Sequence, residues 1–175
     1  VNEDTFYRKK RPAITVNYSN GGSIGIVGLI ETVGIFDSAI FTVSSDGSLF
    51  KNNTFVGTMN FSDTNQVKMI YTAFGLVILT NENTLWVYRV DNNQLQAITL
   101  PDNYQPVDIT TVNNYLIIAC STGRFYYLEP NEWVFTDDNA SGDDSGNSDS
   151  ALNYYTAESL PDGLVGISAV RGELF

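Results

Sequence analysis

Apolar residues in this chain fall in short runs, each cut off by a turn, and three windows of the pattern align. "VKMIYTAFGLVILTNENTLWVYRVDNNQLQAITL" starts at Val67. "VDITTVNNYLIIACSTGRFYYLEPNEWVFT" starts at Val107, 40 residues later, and "VGISAVRGELF" starts at Val165, 58 residues after that. Positions 1 and 3 are apolar and position 10 is Leu in each: Val67, Met69 and Leu76; Val107, Ile109 and Leu116; Val165, Ile167 and Leu174. A β-rich run opens there ("LVIL", "LIIA", "LF"), and in the two complete windows a turn and an aromatic strand follow. "AIFTVSSDGSLFKN" repeats that second half, with Leu49 at the place of Leu85 and Phe125. "FVGTM", "LQAITL" and "EWVFT" read as closing strands.

Each unit therefore reads as four short strands. Asp46-Gly47 and Thr122-Gly123 supply the Gly that tight turns favour. "LVIL" and "LIIA" are apolar throughout, as strands covered on both faces are. No sustained helical stripe is present. A period near forty residues with four strands points to a β-propeller blade, which buries both faces only by stacking on neighbours. The expected fold is all-β: a partial propeller of four-stranded antiparallel blades, its ring incomplete in this chain. The predicted organisation is an N-terminal arm (1–23), three blades (24–136; about 24–61, 66–100 and 105–136), an acidic flexible insert (137–153), and a connector with the first strand of a truncated fourth blade (154–175).

Composition narrows the chemistry. Nine basic and twenty acidic residues give a net charge of −11, which disfavours binding DNA by neutralising phosphates. The chain has no His, so it brings no imidazole base, His triad or His metal ligand. Its single Cys, Cys120, lies within "YLIIAC" and reads as a core residue. The apolar runs are too short to span a membrane, so no membrane insertion by this segment is expected. The start, "VNEDTFYRKKRP", has neither Met nor a signal-peptide apolar region and reads as a fragment or a processed chain. "DDNASGDDSGNSDSA" has almost no apolar content and reads as a solvated loop on one rim. Asp137, Asn139, Ser141 and Gly142 match the first half of a calcium loop, but Ser148 stands where the bidentate Glu belongs, and no metal or cofactor is expected.

After the insert, "YYTAESLPDGLVGI" regains apolar character, with Pro161-Asp162-Gly163 as a turn. Tyr155, Ala157, Glu158, Ser159, Pro161, Asp162 and Gly163, followed by Leu164, Val165, Gly166 and Ile167, resemble a motif of the packaged-DNA stabilisation proteins of short-tailed bacteriophages, also described as tail hub or nozzle proteins. "RKKRPAI" and "AIFTVSSDGSLFKNN" are similar to upstream landmarks of the same family and occur in the same order. The resemblance implies a structural virion protein built around a β-propeller, and no enzyme. It implies a six-fold ring of copies below a dodecameric portal adaptor, carrying the DNA channel, retaining the packaged genome, and mounting a tail needle or tail fibre and spike proteins. DNA would pass without sequence recognition. The implied location is the virion tail, with assembly in the host cytoplasm. The basic cluster Arg8, Lys9, Lys10 and Arg11 is a candidate contact for DNA or an acidic partner, beside the plainer reading of a solvated arm.

Two rival readings stay open on the residues alone. "SSDGSLF" is close to the Asp-box turn of sialidase-like propellers but lacks one residue before Gly47, and no paired carboxylates fall in a recurring catalytic context. A carbohydrate- or receptor-binding propeller would use aromatics such as Trp86, Tyr88, Tyr126 and Tyr127; their strand positions favour packing between blades.

Overall fold

The computed structural model describes residues 25–61, 66–80, 82–100, 105–135, 154–156, 166–170 and 173–174. Within them every regular element is a β-strand. The first sheet holds β1 (Ile26–Glu31), β2 (Ile40–Ser44), β3 (Ser48–Lys51) and β4 (Thr54–Thr58) in sequence order. The second holds β5 (Lys68–Tyr71), β6 (Gly75–Leu79), β7 (Leu85–Arg89) and β8 (Leu95–Ile98), again in order. The third holds β9 (Pro106–Val112), β10 (Tyr115–Cys120), β11 (Arg124–Leu128) and β12 (Tyr154–Thr156). β13 (Ala169–Val170) and β14 (Glu173–Leu174) form a further hairpin. All of these pairings are antiparallel.

The turns follow from residues that tolerate positive φ. Gly47 and Gly123 adopt φ +82° and +83° at the predicted places. Two further turns are built from asparagine pairs: Asn52-Asn53 (φ +48° and +65°) and Asn113-Asn114 (φ +50° and +67°). Two central residues with positive φ give the hairpin twist that matches the strands. Gly47 has no substitute, because a Cβ there would lie 2.3 Å from the Met59 carbonyl oxygen.

Period-2 geometry explains the wholly apolar runs. β6 is buried at every position. Its Leu76 and Ile78 join Phe41, Val43 and Leu49 of the first sheet in one core. Its Val77 and Leu79 join Ile109, Leu116 and Ile118 of the third sheet in another. The second sheet is thus the filling between its two neighbours, as "LVIL" predicted.

The third sheet differs from expectation in its last strand. Residues 132–136, expected to close the unit, do not pair with β11 within the described range; β12 does, after the acidic excursion, with Phe125 opposite Tyr155. The reason is how "EWVF" uses its apolar residues. Trp133 is buried in the core between the second and third sheets, its ring 3.0 Å from where a Cβ on Gly75 would stand. Phe135 meets Tyr126 edge-on at 5.6 Å. These residues plug a seam, and the chain must travel further to find its fourth strand. At the C-terminal end, β13 and β14 pair as a short hairpin.

Candidate functional site

Contacts between sheets concentrate at their first strands: β5 packs against β1 and β9, and β13 packs against β9. The sheets therefore fan outward from a shared inner edge, and the candidate site is that edge. It is stitched by specific bonds. Val67 N–H donates to the Val27 carbonyl at 3.1 Å. Ala73 N–H donates to Asn114 Oδ1 at 3.1 Å, joining the second sheet to the turn of the third.

Asp108, on β9, is the centre of the stitching. Its Oδ1 accepts from Lys68 Nζ of the second sheet, and from the N–H of Ile109 at 2.9 Å. Its Oδ2 accepts from the Ile167 N–H at 2.9 Å, beside the last hairpin. One carboxylate thus ties three successive repeats. Burial pushes the Asp108 pKa up, but the hydrogen bonds from Lys68, Ile167 and Ile109, with the Lys68 charge, outweigh it and hold the carboxyl below the ordinary range. The arrangement has the chemistry of a clamp: an ionised acceptor held by three donors. The described first strands β1, β5, β9 and β13 carry Glu31, Lys68 and Asp108 as their only charged side chains, and two of these neutralise each other. The net charge of −11 is therefore not concentrated on the described inner edge.

Of the residues singled out from sequence, Tyr155 lies in β12, at the outer edge of the third sheet. Ala157, Glu158, Ser159, Pro161, Asp162 and Gly163 lie outside the described residues, as do Arg8, Lys9, Lys10 and Arg11 and the half calcium loop at Asp137, Asn139, Ser141 and Gly142. The end of the motif is described: Ile167 is the donor to Asp108. Sequence reasoning missed Lys68 and Asp108. The signal was available, because they occupy position 2 of two aligned windows, 40 residues apart, with opposite charges.

Other candidates resolve into structure. Asp46 accepts from Ser44 Oγ at 2.6 Å and from Ser48 N–H at 3.0 Å, so it closes a turn. The Ser44 hydrogen bond is the main cause that lowers its pKa. Cys120 is buried, and desolvation pushes its thiol up to about 11, which makes it inert. Tyr88 packs on Phe36 and Phe41 at 5.2 and 5.6 Å, and Tyr126 is buried between the second and third sheets. Trp86 packs against the core of the first and second sheets, and Tyr127 lies 6.3 Å from Tyr115. Among the described residues no cluster of three or more His, Cys, Asp or Glu could hold a metal, and no helix is long and apolar enough to cross a membrane.

The phage-stabilise family model, described as Bacteriophage P22 Gp10, beta-propeller, matches residues 34–175. The chain belongs to this family. It is thus a phage structural protein of the Gp10 β-propeller type, concerned with DNA stabilisation, and the family implies a place in the virion. No curated protein matches it in sequence. Among solved structures, the Gp10-type chain is similar to the computationally designed Ika4 protein, with TM-score 0.50 at 8% identity over 93% of this chain and 90% of Ika4. It is also similar to the computationally designed Ika8 protein (TM-score 0.48, 9% identity, 85% of this chain and 41% of Ika8). BBS1N, solved in complex with ARL6DN, gives TM-score 0.47 at 14% identity over 84% of this chain and 44% of BBS1N. At such identities the Ika4 likeness speaks to fold alone. The chain spans less than half the length of Ika8 and of BBS1N.

Proposed function

We propose that this chain is part of a tail hub, or nozzle, protein of a short-tailed phage: a structural ring that continues the DNA channel below the portal adaptor and retains the packaged genome. The observation that carries the reading is the Gp10 family match across residues 34–175. The fan of sheets meeting at first strands supports it, since that geometry suits blades arranged about an axis. In this reading the three four-stranded sheets are blades, β13 and β14 open a fourth, and the rest of the ring comes from a longer polypeptide or a partner. Six copies form the ring, the adaptor above them is dodecameric, and a needle, fibres or spikes attach below or beside it. DNA passes through without sequence recognition. The protein assembles in the host cytoplasm and performs no catalysis; Asp108 and Asp46 serve as structural acceptors.

Electron microscopy tests this on the native full-length protein in its particle, or reconstituted with a portal–adaptor complex and classified for rotational symmetry. Six copies around an axial channel, each with these sheets in its propeller, are expected. A monomer or trimer at a fibre tip, or no association with the adaptor, overturns the assignment.

A further inference from the structure

The outer part of the junction between the first and second sheets holds a cleft of about 440 Å³, a size suited to one small ring-shaped ligand. Its lining includes Lys51, Asn52, Thr54, Val56, Tyr88 and Asn93. The hydrogen-bond accounting is one-sided. Asn52 Oδ1 already accepts from the Ile40 N–H at 2.9 Å, which fixes the amide and leaves its NH₂ as a donor. Asn93 Oδ1 accepts from the Tyr88 hydroxyl at 3.3 Å, which leaves a second amide NH₂. Thr54 adds an exposed hydroxyl. Lys51 has no carboxylate partner among the described residues, whereas Lys68 and Arg89 are each paired with an aspartate. Its ammonium is held 5.2 Å above the Phe36 ring, a contact that orients the cation without neutralising it. Among the described residues no Asp or Glu lines this cleft.

A cation and several N–H and O–H donors, with an apolar wall from Val56 and no carboxylate lining it among the described residues, call for an anion that also offers acceptors. We propose that this cleft binds a carboxylated monosaccharide, a uronic acid, with its carboxylate on Lys51 and its ring hydroxyls on Asn52, Thr54 and Asn93. The site is independent of the inner edge.

The test is ligand-observed NMR and calorimetry on the full chain, with glucuronate and galacturonate against glucose, galactose and a glutamate oligopeptide. Uronate binding in the millimolar range is expected, with the neutral sugars at least about tenfold weaker, because a charge-assisted hydrogen bond is lost. Lys51→Met, with an unchanged melting temperature, is expected to weaken uronate binding about tenfold or more and to abolish its salt dependence. Thr54→Val is an exposed second variant, expected to weaken binding of both uronates should Lys51→Met fold poorly. Equal binding of neutral and acidic sugars, no saturation by either uronate, or full binding by a folded Lys51→Met protein overturns the proposal. Tighter binding of the glutamate peptide than of either uronate overturns it in favour of an acidic protein segment.

Discussion

Asp108 shows how one side chain carries the junction between repeats. Its donors come from two neighbouring repeats and from its own strand, so Asp108→Asn removes the charge while keeping the shape. The side chain is 15% exposed and that of Lys68 is 41% exposed, so solvent screens the pair and the expected loss is modest, about 1–2 kcal/mol at neutral pH. Lys68→Met should cost less, about 0.5 kcal/mol, because it leaves both backbone donors in place. The pH dependence follows from the lowered pKa. A carboxyl depressed in the fold contributes stability above its unfolded pKa and loses it as pH falls through the folded one. Urea titrations should therefore show the wild type and Asp108→Asn differing at pH 6 and converging at pH values well below 3.8, the ordinary carboxyl value; a gap that persists in acid would mean the Asn is failing for steric reasons. Glycine at turns gives a second contrast at this scale. Gly47 and Gly34 share φ +82°, but a Cβ at Gly47 meets the Met59 backbone while one at Gly34 meets nothing within 4 Å. Gly34→Ala should cost about 1–2 kcal/mol, the left-handed penalty alone, and Gly47→Ala roughly 3 kcal/mol or more. Equal melting temperatures for the two variants would show that the turn at Gly47 relaxes.

At the scale of elements, the third sheet separates what the sequence makes legible from what it hides. The buried strands were readable because β6 and β10 are apolar on both faces, and Gly47 and Gly123 marked the turns after β2 and β10. The asparagine pairs were missed as turn formers, although positive φ is within their range. The closing strand was misplaced because local alternation in "EWVF" has the period of a strand, while its Trp133 and Phe135 pack into the core between the second and third sheets. Only tertiary packing reveals that Trp133 belongs to the second sheet's core and that β12 arrives from beyond the insert. The candidate site was legible in part: Ile167 ends a recognised motif, but its acceptor is 59 residues away on β9. Trp133 itself yields a prediction. It is 4% exposed, and its Nε1 has no hydrogen-bond partner among the described residues. Trp133→Phe should therefore cost only about 1 kcal/mol, since no hydrogen bond is lost, whereas Trp133→Ala should cost about 3–5 kcal/mol by opening a cavity above Gly75. Thermal unfolding of both variants checks the ratio, and a Phe variant as damaged as the Ala variant would point to a buried acceptor for the indole.

For the whole molecule, the register of the sheets marks one row of the first sheet that no described sheet covers. Cross-strand pairing aligns Met69, Ile78, Trp86 and Ala97 in one row of the second sheet, and the first three pack toward the first sheet. The matching row of the third sheet is Ile109, Ile118, Tyr126 and Tyr154, of which the first three pack toward the second. The corresponding row of the first sheet is Leu29, Thr42, Phe50 and Phe55. Here Leu29 is 51% exposed and Phe55 57%, while the buried Thr42 hydroxyl has no hydrogen-bond partner among the described residues. In the proposed ring this row receives the blade that closes it, and the Thr42 hydroxyl meets a polar group there. Replacing both exposed residues, Leu29→Glu with Phe55→Glu, separates the two states of that face. In this chain alone the substitutions touch half-exposed positions and should change stability by no more than about 1 kcal/mol. In the proposed ring they would place two carboxylates in a blade junction, at a cost of several kcal/mol unless they are paired. Chemical denaturation of the two forms side by side, with ring assembly followed by electron microscopy, reads the difference. An assembled ring that tolerates the pair as well as the isolated chain does would show that the face stays in solvent and that the ring closes elsewhere.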